Sequence, residues 1–420
     1  MGISVTPRAT GRAPKRWPCA DQQVNCGTYA GIVPGPLDGL LVVDLSRALA
    51  GPHATMTMGD LGARVIKVES PRGDDSRGWG PPFVGPPGAA ISTYFLSCNR
   101  NKESVTADLS SQDGLRLLTD LVRHADVLVE NFRPGSLERV GMSVEGLLEL
   151  NPRLVVLSIS GFGHDGPEAG RAGYDQIGQG EAGLMSLTGE PGCPTRVGVP
   201  VADLLAGLTG LVGVLAALDE RHRTGRGQIV RTSLLASVVG VHAFQGTRWT
   251  VAGEVPGQVG NHHPSIAPYG LFHAADETLQ VTVANQAQWR AFAEVIGLDP
   301  DDPRFADNSA RVAHRAALTA AIETALAAQT AQTWLGVLAG RGVPAGRVRT
   351  LDEVYGWEQT LSQHLLLHVE HPVLGTISLP GSPLRFFDAG DREVSDVPLA
   401  PPPALGEHDD SVRAWLEETG

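Results

Sequence analysis

Three features of the sequence predict an α/β fold: a doubly wound parallel sheet in a large domain, with a second, smaller α+β domain. Short β-rich runs alternate with helical ones from Leu40 onward. A leucine-striped helix follows near 203–222. The length, 420 residues, exceeds the size at which one hydrophobic core stops growing.

In order, LLVVDL at 40–45 is a strand, a short apolar run closed by turn residues. A small-residue turn, a helix near 52–62 and RVIKVE at 64–69 complete a βαβ opening. The alternation continues with a helix at 112–124 (QDGLRLLTDLVRH), a strand in DVLVENF at 126–132, a helix at 143–150 and a strand in RLVVLSISGF at 153–162. Leu204, Leu208, Leu211, Leu215 and Leu218 then recur in steps of four and three, the signature of a helix over 203–222. Leu205, Val212 and Val214 occupy further faces, which predicts burial nearly all round, with Gly207, Gly210 and Gly213 allowing close backbone approach. A strand and a helix fill 228–250.

A stretch rich in Pro and Gly, AGEVPGQVGNHHPSIAPYG, marks the crossing to the second domain. There a strand is expected at 278–284, helices near 286–297, 312–328 and 331–340, and strands in GRVRTL and GTISLP. LGEHDDSVRAWLEE begins acidic and continues amphipathic, a pattern for a closing helix that returns to the first domain. The predicted divisions are a disordered extension at 1–35, a large domain at 36–250, linkers and the small domain at 251–385, and a returning segment at 386–420.

Composition narrows the function. A net charge of -13 repels nucleic acid and anionic lipid at long range, so neither is expected as a partner, and an anionic ligand needs a local basic pocket. Hydrophobic residues are 42% and charged residues 19%, a globular, soluble balance in which no apolar run is read as spanning a bilayer. Four scattered cysteines do not make a disulfide framework and fit a reducing cytoplasm. Cys19 and Cys26 have six residues between them and no second pair follows, so no metal is expected. Residues 1–35 carry Arg8, Arg12, Lys15 and Arg16 against Asp21 alone and lack the apolar core of a secretory signal.

Ligands of doubly wound sheets sit beyond the carboxyl ends of the strands, here Arg47 to Gly51, Asn131 to Phe132 and the loop after Phe162. The first turn, SRALAGP, has no G-x-G-x-x-G, which disfavours a nicotinamide dehydrogenase. Asp203, at a helix start, reads two ways: as a cap for backbone N–H groups, or as a rigidly held carboxylate nucleophile towards an activated acyl carbon. Sequence physics leaves both open.

Eight phrases bear on the choice: DLSRALAGP (44–52), GDLGARVIKVE (59–69), NRNKESV (99–105), VENFRPGSLERVG (129–141), GYD (173–175), GLMSLTGEP (183–191), GVPVADLLAG (198–207) and TGRGQ (224–228). Together they resemble the family III CoA-transferases, which include formyl-CoA transferase, carnitine CoA-transferase and α-methylacyl-CoA racemase. GNHHPSIAPYGLF (260–272) and HPVLGTISLPG (371–381) extend the resemblance into the second domain, so it runs from about Pro36 over nearly the whole chain.

The resemblance implies an interlocked homodimer and assigns the nucleophile to Asp203, in the phrase G-x-P-x-x-D-L-x-x-G. Asp203 would attack an acyl-CoA thioester to give an acyl-aspartyl anhydride, exchange to an aspartyl-CoA thioester, and pass CoA to an acceptor carboxylate. A mixed anhydride keeps the activation of the thioester, so no ATP is needed, provided water is excluded. No cofactor is implied beyond coenzyme A as substrate. CoA binding is implied for Arg47, Ala48, Leu49, Ala50, Asn131, Phe132 and Arg139. Phe132 suits adenine, and Arg139 suits a phosphate through its bidentate fork; a core phenylalanine and a solvated arginine are the plainer readings.

SRALAGPHATMTMGDLGA, RGWGPPFVG and EHPVLGTISLPG place the resemblance nearest the succinate–hydroxymethylglutarate branch, which moves CoA from succinyl-CoA to dicarboxylic acids. There Arg47 would pair the remote carboxylate, bind a CoA phosphate, or face solvent. Formyl-CoA transferase has His and Gln where this chain has Arg47 and Leu49, and its glycine-rich lid has no counterpart, which argues against oxalate as acceptor. An acyl-CoA racemase is the alternative, opposed by Tyr174 at the position of the racemase histidine. A CoA-binding module without catalysis is the other, opposed by the aspartate at 203. His164, His262 and His263 receive no catalytic role.

Overall fold

The computed structural model describes residues 35–394 and 397–419. The expectations for residues 1–34, including Cys19 and Cys26, lie outside the described residues. Among those described, the chain forms two compact units, one of 35–178, 200–241 and 364–419, the other of Gln179–Val199 and His242–Gln363.

The first unit opens with β1 (Leu41–Asp44), α1 (Ala50–Asp60) and β2 (Arg64–Glu69), then β3 (Phe83–Val84), β4 (Ile91–Ser92), α2 (Thr93–Ser97) and β5 (Lys102–Thr106). It continues through α3 (Gln112–His124), β6 (Val127–Glu130), α4 (Val144–Leu150), β7 (Val155–Ser160), the first residues of α5 (Asp175–Glu181), α6 (Val201–Thr224), β8 (Ile229–Ser233) and α7 (Leu234–Gly240). Six parallel strands run in the order β5-β2-β1-β6-β7-β8. The connection reverses direction between β1 and β6, where a doubly wound sheet opens a crevice.

Alternation along the strands explains the layers. Leu41 and Val43 join Ile66, Leu128 and Val156 in a core with Leu118 and Leu121 of α3 and Leu147 of α4. Val42 and Asp44 point to the opposite face, where α1 and α6 pack on the sheet. Gly207 makes that packing possible: a Cβ there would stand 2.4 Å from the backbone oxygen of Ala50.

Two readings of α6 are corrected. Burial of α6 is not all round, because Leu208, Val212 and Leu215 are exposed. By length and composition α6 is also apolar enough to cross a bilayer, contrary to the reading of the sequence, although much of it is covered by α1, β7 and β8. Strand β5 escaped notice because Lys102 and Ser104, its buried polar residues, remove the apolar alternation.

The second unit contains α8 (Ala243–Thr250), β9 (Tyr269–His273), β10 (Thr278–Thr282), α9 (Gln286–Ile296), α10 (Asn308–Ala313), α11 (Arg315–Leu326), α12 (Ala331–Gly340), β11 (Ala345–Arg347), α13 (Leu351–Tyr355) and α14 (Glu358–Ser362). The helix expected at 312–328 is thus two, meeting at His314. An antiparallel sheet β11-β10-β9 packs its apolar residues on Trp289, Phe292, Ile322 and Leu338.

The hairpin β12 (Leu366–His371) and β13 (Gly375–Pro380) is grouped by its contacts with the first unit, not with the small domain. The last helix, α15 (Asp409–Thr419), lies against α3 and β5, with Val412 and Trp415 in their core.

Candidate active site

Beneath the turn after β1 lies a set of buried charges. Lys102 Nζ donates to Asp44 Oδ2 at 3.0 Å, to Pro52 O and to Asn99 Oδ1. Lys67 Nζ donates to Asp74 Oδ2 at 2.9 Å and to Ser46 O at 2.8 Å. Burial alone would raise the Asp44 carboxyl, but Lys102, Lys67 and the hydroxyls of Ser46 and Thr55 outweigh it and hold the pKa at about 2. Charges this deep are tolerable only when every polar atom is satisfied. Here they fasten the turn between β1 and α1.

That turn is also clamped from above. The backbone N–H of Arg47 donates to Asn131 Oδ1 at 2.8 Å, and Asn131 Nδ2 donates to Arg47 O at 2.7 Å, tying the β1 turn to the β6 turn. Ala48, held at φ +66° where alanine is strained, donates its N–H to Asp74 Oδ1 at 3.2 Å. The Arg47 guanidinium lies 5.0 Å from the centre of the Phe132 ring. Its ion pair with Asp75, at 3.9 Å, is solvent-exposed and weak.

Between these turns is a cleft of about 190 Å³ lined by Arg47, Ala48, Leu49, Ala50, Asn131, Phe132 and Asp203. Seven of the eight residues singled out from the sequence therefore line one cavity. Arg139 does not line it: exposed on a short turn, it donates to Ser136 Oγ at 2.8 Å. Trp79, Arg133, Arg171 and Tyr174 also line the cleft. Sequence reasoning missed Trp79, Arg133 and Arg171, since neither periodicity nor composition marks an isolated aromatic or arginine in a loop.

Asp203 is three residues into α6, whose N-cap, Pro200, has no side-chain oxygen to cap the helix. The cap comes instead from Asp175, whose Oδ1 accepts the N–H of Ala202 at 2.8 Å. Burial, and secondarily the charge of Asp175, push the Asp203 carboxyl up to about 7. Tyr94 packs in a cluster with Leu49 and Leu204, and its hydroxyl is raised above the ordinary range by burial and by the charge of Asp203. Trp79 meets Tyr94 edge-on at 4.9 Å. The arrangement is a desolvated carboxylate on a rigid helix, facing a cleft with three arginines: a basic pocket in an acidic protein, suited to an anionic ligand and to nucleophilic attack on an acyl group.

The sequence model of CoA-transferase family III matches residues 37–409. Succinyl-CoA:glutarate CoA-transferase of Mus musculus is 38% identical over 377 residues, covering 89% of this chain and 84% of the relative. Acetyl-CoA:oxalate CoA-transferase of Acetobacter aceti is 39% identical over 372 residues, covering 87% of this chain and 92% of the relative. Among solved structures, a CAIB/BAIF family protein from Brucella suis superposes with a TM-score of 0.81 at 41% identity, covering 91% of this chain and all of that one. Likeness of sequence and of fold over nearly the whole described chain carries the conclusion that this protein is a member of CoA-transferase family III, an enzyme that transfers CoA.

Proposed function

We propose that the enzyme moves CoA from succinyl-CoA to a dicarboxylic acid, with Asp203 as the nucleophile. The observation that carries the proposal is the position of Asp203 in one cleft with Arg47, Ala48, Leu49, Ala50, Asn131 and Phe132. Asp203 attacks the thioester carbonyl; the C–S bond breaks and CoA thiolate leaves, giving the acyl-aspartyl anhydride. The thiolate then attacks the aspartyl carbonyl and expels the donor carboxylate. The acceptor carboxylate attacks the aspartyl-CoA thioester, and the released thiolate takes the acceptor acyl group, regenerating Asp203. Arg47 and Phe132 border the CoA, and Arg47 is placed to pair a remote carboxylate.

Relatives acting on glutarate and on oxalate support an acidic acceptor, and the second keeps oxalate among the acids to be assayed despite Arg47 and Leu49. Tyr174, rather than a histidine, faces the cleft and weighs against racemisation. A homodimer is part of the proposal, supported by the exposed apolar face of α6 at Leu208, Val212 and Leu215. The cytoplasm is the proposed location, in keeping with the free thiols of Cys98 and Cys193.

Hydroxylamine added during turnover with succinyl-CoA tests the mechanism. A hydroxamate at Asp203, found by peptide mass, is the expected result; modification at Asp175 alone would move the nucleophile.

A further inference from the structure

Glu130 ends β6 and Ser158 lies opposite it on β7, in register across the parallel pair. Both side chains are buried, at 5% and 3% exposure. Ser158 Oγ donates to Glu130 Oε1. With its proton so used, the hydroxyl accepts from His164 Nε2 at 2.7 Å, which fixes the Nε2–H tautomer of His164. The other oxygen of Glu130, Oε2, accepts the backbone N–H of Phe132 at 2.8 Å. A chain of three side chains thus runs from His164 to the backbone of the β6 turn.

Its outer end opens on a second cavity, about 210 Å³, lined by Glu130, Ser158, His164, Arg133, Glu138 and Arg231. Arg133 and Pro134 line both this cavity and the cleft of Asp203. Burial pushes the carboxyl of Glu130 up, against the hydrogen bonds from Ser158 and Phe132, and the imidazole of His164 down, the second helped by Arg231. None of the three side chains lines the cleft of Asp203, so none is needed for the transfer chemistry itself.

We propose that His164, Ser158 and Glu130 are positioning residues that set the CoA-binding wall of the cleft, by holding the Phe132 backbone in the place where its ring meets Arg47. The turn is gripped twice, by Asn131 against Arg47 and by Glu130 against Phe132. Ser158 fixes the rotamer of Glu130, and His164 fixes the hydroxyl of Ser158. Removing either outer member frees Glu130 to turn, and Phe132 then loses its backbone acceptor. Because chemistry at Asp203 is untouched, the loss falls on CoA affinity rather than on turnover. The proposal rests on Phe132 bordering CoA.

Ser158→Ala, His164→Leu, His164→Gln and Phe132→Ala are compared in the full-length protein with succinyl-CoA and glutarate, alongside calorimetric titration with free CoA. Ser158→Ala and His164→Leu are expected to raise KM for succinyl-CoA and Kd for CoA by about fivefold or more, the scale of one buried hydrogen bond. The expected kcat and KM for glutarate stay within about twofold. His164→Gln, which keeps a donor to Ser158, is expected to recover most of the loss. Should Ser158→Ala fold poorly, the two His164 variants decide, since His164 is only half-buried. If Phe132→Ala weakens CoA binding and neither His164→Leu nor Ser158→Ala does, the positioning role is wrong. If Phe132→Ala itself has no effect, the placement of CoA is wrong and the positioning role falls with it. A uniform fall in kcat with unchanged KM would likewise overturn the proposal.

Discussion

Asp175 accepts the N–H of Ala202 at 2.8 Å, so the cap of α6 comes from a residue outside that helix. Asp203, one residue further on, lines the cleft. Two carboxylates near one helix start divide the work: one binds the backbone, the other is kept desolvated.

The first prediction concerns pH. As the proposed nucleophile Asp203 must be ionised, and its carboxyl is pushed up to about 7, so kcat/KM for acyl-CoA should rise with pH and level off above that value. Asp175→Asn keeps an oxygen for Ala202 but removes the charge that helps raise Asp203; the inflection should move to lower pH. Superimposable profiles for the two proteins would remove the charge of Asp175 from the account.

Stability should carry the same signature. Folded Asp203 titrates near 7, whereas an unfolded aspartate titrates at about 3.9, so the folded state binds the proton more tightly. Below both values each state is protonated and no penalty exists; between them the unfolded state ionises first, so the penalty grows as pH rises and is complete once pH has passed the folded value of about 7. Asp203→Asn is therefore expected to be more stable than wild type at pH 8, on the order of 1–3 kcal/mol, and no more stable at about pH 3. Denaturant titrations at the two pH values measure the difference, and an equal gain at both would show that ionisation is not the cause.

Gly207 tests the join between α1 and α6. An added Cβ would stand 2.4 Å from Ala50 O, a backbone atom that cannot swing away. Gly207→Ala should cost about 1–3 kcal/mol and, by pushing α6 from the turn at Ala50, lower kcat more than the stability loss explains. Gly336→Ala, in α12 with open space at its Cβ, is the control and should be neutral or slightly stabilising.

Lys102 and Asp44 are both fully buried and paired at 3.0 Å. Lys102→Met should destabilise by about 3–5 kcal/mol, because Asp44 is left charged without its main partner. The double substitution Lys102→Met with Asp44→Leu should recover part of that loss in thermal unfolding; no recovery would mean that packing, not charge, sets the cost.

Arg47→Met separates two roles for that arginine. Pairing with a remote carboxylate predicts a selective loss with succinyl-CoA and glutarate, roughly tenfold or more in kcat/KM, while acetyl-CoA with a monocarboxylate is spared. Equal losses would assign Arg47 to CoA itself, and a wild type that prefers monocarboxylates would end the dicarboxylate reading.

Local periodicity determined much of the fold. The helix at 112–124 was legible to the residue, because its apolar spacing and its flanking Ser111 and His124 are all near one another in sequence. The strand ends pointing to Arg47 and Asn131 were legible for the same reason, and the phrases of the family named Asp203. What the tertiary structure alone decided is which distant groups satisfy one another. Strand β5 was hidden because Lys102 is a buried strand residue only when Asp44, far away in sequence, answers its charge. The capping role that was one of two readings of Asp203 falls to Asp175, because the start of α5 comes back to the start of α6. Arg139 stayed in its phrase yet not in the cleft, since a 3₁₀ turn directs it to Ser136. Glu130, Ser158 and His164 meet because parallel strands set residues from separate segments side by side, and sequence spacing carries no trace of a contact made across a sheet.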